Sequence, residues 1–180
     1  VSLADDIRAC RACPLGGLLT HAVTGEVPAG AAIMLVAEAP GETEDREGRP
    51  LIGPAGKRLD LALGEVGIDR ASVYADNLIH CRPPRNDLRP YPGVSQTCGD
   101  LWLDRTIEMV GPRVIVALGR TAMSRWFGEV RSVYDTSELQ RVLPSGLVIV
   151  GAPHPSAILH GTAWVEQKLV QSLRRAKEVA

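Results

Sequence analysis

Three short stretches of this chain, 31–36, 114–118 and 147–150, carry only apolar side chains. Each is too short for a buried helix and lacks the alternation of a half-exposed strand, which leaves a strand buried on both faces. Val73-Tyr74-Ala75 gives a fourth, shorter strand signal. Helical patterns lie around and between them. Residues 2–10 follow a capping Ser2, and a segment with Leu59, Leu61, Leu63 and Val66 starts near Lys57 and stops at Gly67. Residues 94–110 end at Gly111-Pro112, a helix follows Gly119 through Phe127, and an amphipathic helix runs from Thr162 to Lys177. The stretch up to about Gly30 reads as loop or edge strand. Strands alternating with helices specify an α/β fold: a single-domain, three-layer α/β/α arrangement around a central, mostly parallel four-stranded sheet, covering residues 1–180.

Composition supports a core of that size, with 180 residues, 45% hydrophobic and 23% charged. No run is long enough to span a membrane, and Asp5, Asp6 and Arg8 interrupt the first residues. A cytoplasmic protein without membrane contact is expected. The net charge of −1 offers no general attraction for nucleic acid, so any basic surface must be local.

The first apolar run leads into AEAPGETEDREGRPLIG, residues 37–53. Pro40 and Gly41 allow a sharp bend, and Glu38, Glu42, Glu44, Asp45 and Glu47 crowd carboxylates behind it. Open α/β sheets bind ligands at the C-terminal ends of their strands, where this loop sits. The same rule gathers Glu38, Asn77 and His154 around one cleft. As residue types alone, Asn77 fits a turn and His154 fits a cap between two prolines equally well.

The four cysteines form two pairs, Cys10 with Cys13 and Cys81 with Cys98. Two disulfides, four buried thiols or a metal centre are open readings. The C-x2-C spacing and the absence of an export signal favour the metal centre. Spacing alone does not separate zinc from an iron–sulfur cluster, since both accept four thiolates.

In order, the motifs are the C-x2-C pair, Glu38-Ala39-Pro40-Gly41 with Glu44-Asp45, and Gly48-Arg49-Pro50 before Gly53 and Gly56. Asn77, Cys81-Arg82-Pro83-Pro84 with Asn86, Cys98 and His154-Pro155-Ser156 follow. This ordered set resembles the family 4, iron–sulfur uracil-DNA glycosylases, over roughly residues 10–159. The resemblance implies a 4Fe-4S cluster on Cys10, Cys13, Cys81 and Cys98. It also implies hydrolysis of the N-glycosidic bond of uracil in single- or double-stranded DNA, leaving an abasic site without a strand cut. By resemblance His154 is the catalytic donor to uracil O2, with Glu44 and Asn86 as catalytic support. Glu38, Ala39, Leu51, Asn77 and His154 form the uracil pocket, in which Asn77 reads the base edge. Arg82, Arg85, Ser156 and the wedge residues Ile158 or Leu159 meet the DNA, with Arg49, Lys57, Arg58 and Arg89 adding charge. A monomer is expected.

Several positions depart from the family pattern. Leu51 stands where the family carries Phe, losing part of the roughly 1–3 kcal/mol of aromatic stacking on the base. Ala37 replaces a usual glycine, His160 stands where Arg is expected, and the interval from Cys81 to Cys98 is slightly long. His80 matches a variable position, and no basic insertion follows Asn77, so no covalent adduct with DNA is expected. A glycosylase for another deaminated base, favoured if Leu51 enlarges the pocket, and a non-catalytic iron–sulfur DNA-binding paralogue are the alternatives.

Overall fold

The structure is a computed structural model that describes residues 2–18, 21–25, 30–132, 139–160 and 163–180. Its strands are β1 (Ile33–Ala37), β2 (Tyr74–Asn77), β3 (Val114–Leu118), β4 (Gln140–Val142) and β5 (Val148–Ala152). They form a five-stranded sheet in the order β2-β1-β3-β5-β4. The first three pairings are parallel and β4 runs antiparallel to β5. The expected four-stranded sheet is thus corrected by one strand. β4 is three residues long and exposed throughout, so an edge ladder and not burial creates it.

Burial on both faces explains the all-apolar runs. Ile33, Leu35, Val114, Val116, Val148 and Val150 point into one core layer. Their neighbours Met34, Val36, Ile115, Ala117 and Ile149 point into the other. The first layer packs against α3 (Pro54–Glu65) and α7 (Ala163–Val179), which insert Leu59, Leu63, Leu169 and Leu173.

The second layer meets a helical path made of α4 (Val94–Cys98), a π-helical turn (Gly99–Leu103) and α5 (Asp104–Val110), followed further on by α6 (Arg120–Phe127). The expected single helix over 94–110 is therefore interrupted, and the wide turn begins immediately after Cys98. A Cβ on Gly99 would lie 3.0 Å from Leu78 Cδ1, so the backbone approaches the β2 extension closely there.

Other boundaries follow local chemistry. α1 (Leu3–Ala9) opens with a capping box between Ser2 and Asp5. α3 begins three residues before Lys57 because Pro54 occupies its first turn. The acidic loop contains a further short helix, α2 (Glu42–Glu47), that the sequence pattern did not reveal. The expectation for the stretch up to Gly30 falls partly on residues 19–20 and 26–29, and the start of the last helix on Thr162, all outside the described residues.

Candidate active site

Four strand ends share one rim. β1 runs into Glu38 and Ala39, β2 ends on Asn77, β3 gives way to Gly119, and β5 leads through Pro153 to His154. Ala37 is in register with Asn77, and Leu118 with Ala152. Pairing persists beyond the strands. The Ile79 N–H donates to Glu38 O at 3.0 Å, and the Gly119 N–H to Ala152 O at 2.8 Å. The rim side chains therefore project from fixed backbone.

His154 is oriented by the turn it begins. Its Nδ1 lies 3.1 Å from the backbone N–H of Ser156 and 2.7 Å from Ser156 Oγ. A backbone N–H can only donate, so Nδ1 accepts and the proton of the neutral ring sits on Nε2. Burial pushes the His154 pKa below its ordinary 6.5, against the upward pull of the nearby Glu38 and Glu44 charges. The ring is thus a neutral donor. Gly119, at φ +88°, packs against it, and a Cβ there would stand 3.0 Å from His154 Cβ.

The two carboxylates have different settings. Glu38 Oε2 accepts a short hydrogen bond from Thr121 Oγ1 at the start of α6. Glu44 is buried and its Oε1 accepts the N–H groups of Ile52 at 3.0 Å and Gly53 at 2.7 Å. It clamps the loop that carries Leu51 onto α2. Asn77 is also buried, and its Nδ2 has no hydrogen-bond partner. An orphaned buried donor costs about 1–3 kcal/mol, so this amide is left under-satisfied within the fold.

Beside Glu38 opens a cleft of about 400 Å³ lined by Ile79, Asn86, Tyr91, Ser95 and Thr121. Thr121 and Tyr91 went unnoticed in the sequence, where neither stands in a motif. Arg85 and Asn86 both adopt left-handed backbone, at φ +57° and +56°. Such conformations store strain at functional turns. Asn86 Oδ1 accepts from Arg82 Nε at 2.8 Å, and Arg82 also reaches Glu42 at 3.8 Å.

The family model of the uracil DNA glycosylase superfamily matches residues 24–174. The chain belongs to the uracil-DNA glycosylase superfamily. Among relatives, a type-4 uracil-DNA glycosylase of Thermotoga maritima is 36% identical, covering 97% of this chain and 91% of its own length. One from Sulfurisphaera tokodaii is 33% identical over 99% of this chain and 83% of its own. One from Archaeoglobus fulgidus is 36% identical over 88% and 82%.

The four cysteines lie at the end of α1, in the turn after it, after β2 and at the end of α4. All four are free thiols in the structure. Cys10 caps α1, Cys98 ends α4, and Cys81 pairs with Ala22 through an isolated bridge. Burial pushes the Cys81 thiol up to about 12, reinforced by the neighbouring Cys98, Cys13 and Cys10. Among the described residues no three His, Cys, Asp or Glu side chains close in on a single ion. A pure thiol donor set of this kind fits an iron–sulfur cluster, whose body is larger than one ion.

The remaining expected site residues divide. Ala39 lies at the rim without a polar atom to orient water. Leu51 is 5% exposed, has φ +54° and packs into the α3-side core. Its open side lines a separate cleft with Arg49 and Arg70, not the one beside Glu38. Of the two wedge candidates, Ile158 is 7% exposed and packed in the same core, whereas Leu159 is 45% exposed. Ser156 is engaged with His154. Arg85 is exposed, while Arg89 is forked onto Asp87 through two contacts of 2.9 Å. Among the described residues no helix is long and apolar enough to cross a membrane.

Proposed function

We propose that the chain excises uracil from DNA by hydrolysing the C1′–N1 bond, leaving an abasic site and an unbroken strand. The observation that carries this reading is the buried, unpartnered Nδ2 of Asn77 on the rim that also holds a neutral His154. The target nucleotide leaves the base stack and meets the rim. The Asn77 Nδ2 donates to uracil O4 while its Oδ1 accepts N3–H. Cytosine presents a donor at C4 and an acceptor at N3, which inverts both contacts and leaves buried groups unpaired.

Bond cleavage sends the electron pair of C1′–N1 onto the uracil ring, with negative charge concentrated at O2. The Nε2–H of His154 meets that charge as it develops, which is worth more to the transition state than to the ground state. The sugar becomes cationic, and the carboxylates of Glu38 and Glu44 stabilise it from the opposite polarity. Water held by Asn86 adds to C1′, and the proton it loses passes through solvent to the departing uracil anion, so that neutral uracil and a C1′ hydroxyl result. Leu51, turned into the α3-side core and the neighbouring cleft, offers the base no aromatic face.

Cys10, Cys13, Cys81 and Cys98 are assigned as ligands of a 4Fe-4S cluster, which when bound supplies a cross-link between the N-terminal segment and the chain beyond Asn77. Arg85 and Leu159 face the DNA, the one to phosphate and the other as wedge into the minor groove. Monomeric action is part of this reading.

Incubating anaerobically purified protein with a single-uracil oligonucleotide, followed by alkali, tests the reading. Strand scission only after alkali, absent in His154→Ala, is the expected result. An intact strand from cluster-loaded parent protein overturns it.

A further inference from the structure

His80 is 1% exposed and takes no part in the chemistry above. Its Nδ1 lies 3.4 Å from Cys98 Sγ. Its Nε2 lies 3.3 and 3.4 Å from the two oxygens of Asp76. Asp76, itself fully buried, also accepts the Tyr74 hydroxyl at 3.2 Å and the backbone N–H of Asn77 at 2.8 Å. An unbroken hydrogen-bonded path therefore joins Cys98 to Asn77 through one imidazole.

A sulfur bound to iron carries no hydrogen and is an acceptor, as is an ionised carboxylate. The ring lies between these two groups, with one nitrogen facing each. Resting on the cluster reading above, we propose that His80 is a positioning residue. It donates one hydrogen bond to the ligand sulfur of Cys98 and the other to Asp76, and so fixes Asn77 relative to the cluster. A donor at a ligand sulfur favours the more electron-rich state of an iron–sulfur centre and raises its reduction potential. At the other end, Asp76 holds the backbone from which the Asn77 amide projects.

Two variants separate the ends of the path. The amide nitrogen of Gln reaches the position of Nε2, so His80→Gln keeps Asp76 and leaves the sulfur without its donor. The amide of Asn matches Nδ1, so His80→Asn keeps the sulfur and releases Asp76. Both are made in the full chain, purified anaerobically, with iron and sulfide content measured before any other reading. We expect His80→Gln to lower the midpoint potential and shift the Fe–S(Cys) stretching bands, with KM for a uracil oligonucleotide unchanged. We expect His80→Asn to keep the potential and raise KM several-fold more than it lowers kcat. In the reduced parent protein, ¹⁵N-histidine labelling adds a hyperfine coupling to the pulsed electron-spin spectrum, a reading that needs no variant to fold. Parental potential and bands in His80→Gln, or no histidine coupling in the parent, overturn the sulfur contact. A parental KM in His80→Asn overturns the tie to Asn77. Purified parent containing zinc, or no iron, overturns the cluster reading itself.

Discussion

The backbone N–H of Ser156 sits 3.1 Å from Nδ1 of His154, two residues before it in the chain, and this contact places the ring proton on Nε2. Because the amide belongs to the main chain, the tautomer survives loss of the Ser156 hydroxyl. Ser156→Ala is expected to lower kcat only a few-fold, whereas His154→Ala lowers it about 10²–10³-fold, the usual cost of a lost oxyanion donor. Single-turnover excision on one oligonucleotide compares the two. Equal losses remove the tautomer argument.

The same ring sets a pH dependence. Its folded pKa lies below 6.5, so the neutral donor persists under mildly acidic conditions. Excision is expected to stay flat through pH 6.5 and to fall only below it. In that acidic window the unfolded chain binds the proton more readily than the folded one, so stability also declines as pH drops below about 6.5. A rate profile with its midpoint at or above 6.5 contradicts the buried neutral ring.

Asn77 offers a trade between stability and recognition. Its Nδ2 is desolvated without a partner, so Asn77→Leu removes a buried liability of about 1–3 kcal/mol at nearly constant volume. The variant is expected to melt no lower than the parent while losing at least about 100-fold in uracil excision. A marked fall in melting temperature means that the amide has a structural partner after all.

Glu44 has two roles that substitution can divide. Glu44→Ala frees the Ile52 and Gly53 amides and is expected to cost about 1–3 kcal/mol in chemical denaturation. Glu44→Gln retains an acceptor oxygen but no charge, so stability holds while kcat drops by about tenfold. If the two variants are equally unstable, the charge and not the clamp holds the loop.

Arg82 and Arg85, adjacent to the same strained turn, are expected to differ. Arg85 is exposed, and Arg85→Ala reduces the salt dependence of duplex binding by about one released counterion. Arg82 is tied to Asn86, so Arg82→Ala acts on kcat more than on affinity. Binding isotherms at several salt concentrations, paired with single-turnover rates, separate the two effects.

The parts of this fold that the sequence disclosed are those whose pattern is set by burial. β1, β3 and β5 are apolar on both faces because both faces are covered. β4 left no trace, since Gln140-Arg141-Val142 lies exposed at an edge and owes its form to backbone pairing alone. α2 was hidden for a related reason: it is one and a half turns of mostly charged residues with Gly41 at its cap, and its two inward carboxylates look like solvated ones in a linear reading. Motif order singled out Asn77 and His154, but could not tell Ile158, turned into the core, from Leu159, turned outward. Nor could it show that His80 bridges Asp76 and Cys98, because the chain turns after β2 to bring the ring back to Asp76, and Cys98 lies 18 residues further on.

The clamp made by Glu44 also constrains how this region can change over generations. A Cβ at Gly41 would come within 2.8 Å of Glu44 Oε2, and one at Gly53 within 3.0 Å of Oε1. The same carboxylate holds two main-chain amides through Oε1, so a side chain at either glycine pushes on that clamp. Positions 41, 44 and 53 therefore form a single inherited unit: in descendants of this chain, a side chain gained at either glycine should arrive together with a shorter acid or amide at 44.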